Sequence, residues 1–93
     1  VENQSPAEDC LLQIYPNPTR DFAYIHFSVS EAGFCSLILF DQHGNKVTSL
    51  VSGLVQPGLY NAEVNTTTLP AGTYIVVLTT QNGASSKKLL VLR

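Results

Sequence analysis

Thr73-Tyr74-Ile75-Val76-Val77-Leu78-Thr79-Thr80, then Gln81-Asn82-Gly83-Ala84, then Ser85-Ser86-Lys87-Lys88-Leu89-Leu90-Val91-Leu92-Arg93, is the stretch that decides the fold. Two apolar runs flank an Asn-Gly dipeptide, the strongest short-range signal for a β-hairpin. With Asn82-Gly83 as a two-residue type I′ loop, Gln81 faces Ala84. Leu78 then faces Lys87, Val76 faces Leu89 and Tyr74 faces Val91. These residues share one side and form a plausible core face. On the other side Val77 faces Lys88, Ile75 faces Leu90 and Thr73 faces Leu92. That side should be polar, yet it offers Ile75, Val77, Leu90 and Leu92 beside Lys88. An apolar stripe on a nominal outer face marks an interaction site.

The charge is as uneven as the hydropathy. Residues 1–63 hold all seven acids against Arg20 and Lys46, a balance of −5, whereas residues 64–93 hold Lys87, Lys88 and Arg93, a balance of +3. Lysines on an edge strand also guard against unwanted pairing. The pair by itself therefore fits either a guard or a recognition element.

Working outward, apolar runs recur between turn signals. The expected strands are Leu11–Tyr15, Phe22–Val29, Phe34–Asp41, Lys46–Val51, Leu59–Asn65, Thr73–Thr80 and Ser86–Arg93. Pro16-Asn17-Pro18 stops the first strand, because each Pro removes a ladder donor and restricts its predecessor. Asp41-Gln42-His43-Gly44-Asn45 suits a type I turn with Gly44 left-handed. Pro57-Gly58 and Pro70-Ala71-Gly72 each set a glycine ahead of a strand. In Phe22–Val29 the better core face is Ala23, Ile25, Phe27 and Val29; Phe22, Tyr24, His26 and Ser28 face the other way. In the next strand Cys35, Leu37 and Leu39 oppose Ser36, Ile38 and Phe40, and both faces are apolar. No stretch has a helical period. About seven short strands in 93 residues predict an all-β, immunoglobulin-like two-sheet antiparallel β-sandwich.

Composition excludes several classes. A net charge of −2 gives no electrostatic case for nucleic acid. No apolar run has the length of a membrane span, so membrane insertion is not expected. Residues 1–9 read as a polar linker ahead of a domain at 10–93. Without an initiating Met, Val1 is expected to be a processed or excised end of a longer protein. Cys10 and Cys35 are too few for a disulfide framework. One disulfide between them, or two independent thiols with one serving as a small core hydrophobe, are the two readings. Asn3-Gln4-Ser5 and Asn65-Thr66-Thr67 match the glycosylation acceptor pattern, which is short enough to arise by chance.

No enzyme is expected, and no cofactor or metal. His26 lies on a face away from the core and His43 in a turn. Cys35 and His26 point to opposite sides of the sheet, which argues against a nucleophile–base dyad. The acids are single and lack the spacing of a calcium loop.

Four stretches in order carry a resemblance. They are Tyr15-Pro16-Asn17-Pro18, Phe40-Asp41-Gln42-His43-Gly44-Asn45-Lys46-Val47, Asn65-Thr66-Thr67-Thr68-Leu69-Pro70-Ala71-Gly72-Thr73-Tyr74, and Gly83 with Lys87-Lys88-Leu89-Leu90-Val91-Leu92-Arg93. Together they resemble the C-terminal sorting domain, type A, of proteins exported by the type IX (Por) secretion system. The resemblance implies a signal domain that directs its parent protein across the outer membrane. It implies translocon and sortase proteins as partners, and in many family members cleavage of the domain. It implies passage through the periplasm to the outer membrane, the cell surface or the medium. Carried over residue by residue, the partner-recognition elements are Pro70, Gly72, Tyr74, Gly83, Lys87, Lys88, Leu89, Leu90, Val91, Leu92 and Arg93. A terminal strand with an open edge would dock by strand addition or face packing. The same edge would permit a homodimer or a strand swap. The competing readings are a retained immunoglobulin-like surface binding module, disfavoured by the lack of Trp and the dispersal of the four Tyr, and a structural accessory domain.

Overall fold

The computed structural model describes residues 11–92. Seven strands follow in order: β1 Leu12–Tyr15, β2 Phe22–Val29, β3 Gly33–Asp41, β4 Lys46–Val55, β5 Gly58–Asn65, β6 Gly72–Thr80 and β7 Gly83–Val91. They form two antiparallel sheets, ordered β1-β2-β5 and β4-β3-β6-β7. The expected 1–9 linker, Cys10 and Arg93 lie outside the described residues.

Period-two patterning places the core. Ala23, Ile25, Phe27 and Val29 of β2 are buried, as their alternation predicts. Across the sheet Ile25 pairs with Ile14 and Ala62, and Phe27 with Leu12 and Tyr60. The facing sheet contributes Cys35, Leu37 and Leu39 from β3, Tyr74, Val76 and Leu78 from β6, and Leu89 and Val91 from β7. The ambiguous faces of β3 are thus decided by pairing: Leu37 opposes Leu78 and Leu39 opposes Val76. Fully burying one such side chain contributes roughly 1.5–3 kcal/mol.

β4 runs four residues beyond its expected end at Val51. Its burial does not alternate, because the register with β3 shifts at Leu37/Ile38 and again at Leu39/Phe40. These irregularities let Val47, Leu50, Val51 and Val55 all pack against the core.

The terminal hairpin forms, but its register differs from the expected one by two residues. Thr80 pairs with Gly83, so Gln81-Asn82, not Asn82-Gly83, is the two-residue loop. The partners become Leu78 with Ser85, Val77 with Ser86, Val76 with Lys87, Ile75 with Lys88, Tyr74 with Leu89 and Thr73 with Leu90. Asn82 is not left-handed, since no non-glycine residue among those described has positive φ; Gly83 takes φ +135°. The physical reason is tertiary. Asn82 Nδ2 donates to Ser30 Oγ at 2.8 Å, and Gln81 Nε2 donates to Glu31 Oε1 and to the Ala32 carbonyl, both at 3.1 Å. Both loop amides are clasped by the β2–β3 loop. An even shift preserves the faces, so the core assignment of Tyr74, Val76, Leu89 and Val91 stands.

The Asp41–Asn45 turn forms as expected, with Gly44 at φ +86°. Asp41 Oδ1 accepts the amides of His43 and Asn45, each at 2.9 Å. These amide bonds, Asn45 foremost, hold the Asp41 carboxyl below its ordinary range.

Candidate functional site: the terminal hairpin and its strap

Parts of all four sequence stretches, far apart along the chain, meet at one end of the four-stranded sheet, while Gly83 of the fourth lies at the other end, opposite Thr80. Asp41 opposes Tyr74, Tyr74 opposes Leu89, Gly72 opposes Val91, and Val91 forms a parallel bridge with Thr19. The Tyr74 hydroxyl donates to the Pro70 carbonyl at 2.7 Å. The turn at Asp41–His43 and the Pro70–Tyr74 segment line one shallow groove of about 200 Å³.

The segment after β1 covers part of the β7 edge. Asn17 Nδ2 donates to the Lys88 carbonyl at 2.8 Å, and Asn17 Oδ1 accepts the Leu90 amide at 3.0 Å. The Thr19 amide donates to the Leu90 carbonyl and the Leu92 amide donates to the Thr19 carbonyl, both at 2.8 Å. The side-chain amide of Asn17 therefore acts as a surrogate peptide unit, and Thr19 continues the ladder. Thr19 itself is buried, and its hydroxyl donates to the Phe22 carbonyl at 2.5 Å. The terminal edge, expected to be open, is closed in part: from the Lys88 carbonyl to the Leu92 amide it is covered by residues 17–19. In the sequence Pro16-Asn17-Pro18 reads as a strand stop only. Asn between two prolines, an amide with its backbone pre-bent, was the available signal.

Each expected recognition residue can be placed. Tyr74, Leu89 and Val91 are core residues, 6%, 0% and 1% exposed. Pro70, Gly83, Lys87, Lys88, Leu90 and Leu92 are exposed, and Gly72 is half-buried. Arg93 lies outside the described residues. Lys88 and Leu90 share the outer face with Ile75, Val77 and Thr73. That face extends beyond the hairpin, because Phe40 neighbours Ile75 and Ile38 neighbours Val77. Phe34 and Leu54, an opposed and exposed pair, stand at its far end. The apolar stripe therefore runs over β7, β6 and β3 rather than the hairpin alone; on β4 it meets Lys46 and Ser49, and Ser36 and Ser52 separate it from the Phe34–Leu54 pair.

Cys35 carries a free thiol in the core, and burial pushes its pKa up. It lies in the sheet opposite that of His26. His26 instead stacks on Tyr15, ring centroids 5.0 Å apart, with the Tyr15 hydroxyl bonded to His26 Nε2. Tyr24 sits 5.9 Å from Tyr15. Two of the tyrosines expected to be dispersed are thus neighbours on the outer face of the three-stranded sheet. Tyr60 is turned inward and stacks on Phe27. Among the described residues no group of three His, Cys, Asp or Glu is placed to hold a metal ion.

No curated protein matches the chain. A family model described as the secretion system C-terminal sorting domain matches residues 13–92, from β1 to the last residue but one. The match takes in β1 from Gln13 on, the six other strands, the strap at Asn17–Thr19 and the outer apolar face, so the chain belongs to the C-terminal sorting domain family of the type IX (Por) secretion system, which directs parent proteins for export across the outer membrane.

Proposed function

We propose that the machinery reads this domain through the terminal hairpin, and that the sandwich serves to present it. The observation that carries this reading is the outer face. Ile75, Val77, Leu90, Phe40 and Ile38 form an apolar surface with Lys88 at its edge, on strands whose opposite faces already fill the core. Lys87 and Lys88 supply steering toward an acidic partner surface in a chain that is otherwise net acidic. The partners in this reading are the translocon and, where the domain is removed, the sortase. The route is through the periplasm to the outer membrane or the medium, with the domain spanning residues 10–93. Placing the domain on a neutral periplasmic reporter tests the reading, with a second reporter lacking residues 84–93. Surface display of the first and periplasmic retention of the second support it. Equal display of both sinks the hairpin as the address.

The finer fold reading is immunoglobulin-like. Its support is the strand order, with β1-β2-β5 facing β4-β3-β6-β7, and the Tyr74 hydroxyl returning to the backbone four residues upstream. The second functional reading, a surface binding module, is favoured by one observation, the Tyr24, Tyr15 and His26 row. Its test is glycan-array binding that disappears in Tyr24→Ala.

A further inference from the structure

The strap closes only half of the β7 edge. In an antiparallel ladder a residue's N–H and C=O point to the same side, and alternate residues point to opposite sides. Leu90 presents both groups to Asn17 and Thr19, away from β6, and the Lys88 carbonyl does the same. The register from Thr80/Gly83 to Gly72/Val91 runs unbroken. The amide of Lys88 and both backbone groups of Ser86 and Ala84 therefore also face away from β6. Among the described residues no strand lies beside them, since β7 ends its sheet. The side chains there are small (Ala84, Ser85, Ser86), and this part of the edge is exposed apart from half-buried Ser85. Two clamps bound the stretch: the clasp of Gln81 and Asn82 on Ser30–Ala32 at one end, and Asn17 at the other.

The two lysines sit on opposite faces of this open stretch. Lys88 lies on the outer face. Lys87, on the opposite face, lines an open groove of about 410 Å³ together with Gln13, Ile14, Tyr15 and Asn17. Neither lysine forms an ion pair among the described residues.

We propose that Ala84–Lys88 is a strand-addition site for an extended acidic segment of a partner protein. This rests on the reading that the hairpin is the address. The strap shows what the edge accepts, and the partner strand continues that interface where the strap stops. Consecutive side chains of a strand point to opposite faces. Two adjacent acids on the incoming segment thus meet Lys87 and Lys88 together. A second copy laying its own β7 here would instead double the positive charge along the edge, which disfavours it.

Ser86→Pro tests this in the full precursor, followed in cells that export it. Its amide faces away from β6, so Pro spares the β6–β7 ladder while removing the central donor. The expected result is export reduced about tenfold or more, the scale of one lost backbone bond with a steric block. Ser86→Ala should export normally. Wild-type export of Ser86→Pro, or an equal loss in Ser86→Ala, overturns the site. If the Ser86→Pro domain melts early, the exposed double variant Lys87→Glu/Lys88→Glu decides. A comparable loss with an unchanged melt supports the site, and undiminished export overturns it. Failure of the hairpin reading is seen separately, as normal export of the precursor lacking residues 84–93.

Discussion

Asn17 stands in for a strand beside Leu90: its Oδ1 accepts the Leu90 amide at 3.0 Å while its Nδ2 donates to the Lys88 carbonyl at 2.8 Å. A side chain 73 residues away in sequence thus fixes the end of the chain against the start of the sandwich. Thr19 completes the closure on Leu90 and Leu92.

Removing that amide should loosen the terminal strand without unfolding the core. Asn17→Ala loses both bonds at an exposed site, where water partly replaces them, so the expected destabilisation is about 1–2 kcal/mol. Urea denaturation measures it. Amide exchange gives the sharper readout. Leu90 should lose protection in Asn17→Ala, while Val76 and Leu78 keep theirs. Unchanged protection at Leu90 contradicts the strap.

The turn at Gln81-Asn82 shows where local pattern stops being informative. Asn-Gly pointed to a type I′ loop, and the hairpin, its faces and its core were all legible from it. The register was not, because what sets it is the clasp of Gln81 and Asn82 on Ser30, Glu31 and Ala32, about fifty residues away. The strap was hidden for the same reason: Asn17 acts on Lys88 and Leu90. The buried faces of β2 and β3 were readable because alternation is local. The extension of the outer apolar face onto β3 became visible only once β3 was paired with β6.

Gly83 tests the corrected turn. Its φ of +135° suits glycine, and a Cβ there would meet nothing within 4 Å. Any loss in Gly83→Ala is therefore backbone strain rather than a clash, expected at about 1 kcal/mol or somewhat more. Asn82→Gly supplies the complementary measurement. A type I′ loop would accept it without loss, whereas the observed turn loses the bond to Ser30 and should be destabilised. Thermal melts of the two variants check both expectations, and a stabilised Asn82→Gly contradicts the observed turn.

Adjacent residues on β7 separate fold from address. Leu89 is 0% exposed and Leu90 39%. Leu89→Ala empties a core site and should lose about 2–5 kcal/mol. That lowers the melting temperature by roughly 4–8 °C for each kcal/mol in a domain of this size. Leu90→Ser should cost under about 1 kcal/mol, yet reduce export of a fused reporter, because its side chain belongs to the outer face. Equal export of Leu90→Ser and wild type argues that the outer face is not read.

Asp41 gives the domain a defined acid dependence. Amides of Asn45 and His43 hold its folded pKa below the ordinary 3.8. A carboxyl depressed in the folded state stabilises above its unfolded pKa, and the contribution fades as pH falls through the folded value. Asp41→Asn keeps an acceptor at that position but not the charge. Wild type should therefore exceed Asp41→Asn in denaturant resistance near neutral pH, and the gap should close as pH falls below about 4. A gap that stays constant into acid contradicts the assignment.

Opening the strap should also change how the domain meets copies of itself. Residues 88–92 are apolar except for Lys88, and in the folded domain the Lys88 carbonyl, both outward groups of Leu90 and the Leu92 amide are bonded to Asn17 and Thr19. An uncovered edge is a template for pairing, and Asn17→Ala uncovers this one. Antiparallel pairing of two such edges about Leu90 sets Lys88 opposite Leu92, so like charges do not face each other directly. Light scattering over a concentration series should find Asn17→Ala more associated than wild type. The double variant Asn17→Ala/Leu90→Pro should reverse this, because its Pro removes an edge donor and leaves the β6 ladder intact. Association that is equal in wild type and Asn17→Ala means that the strap does not protect the edge. Association that persists with Leu90→Pro places the contact elsewhere, with the outer face at Phe34 and Leu54 the next surface to mutate.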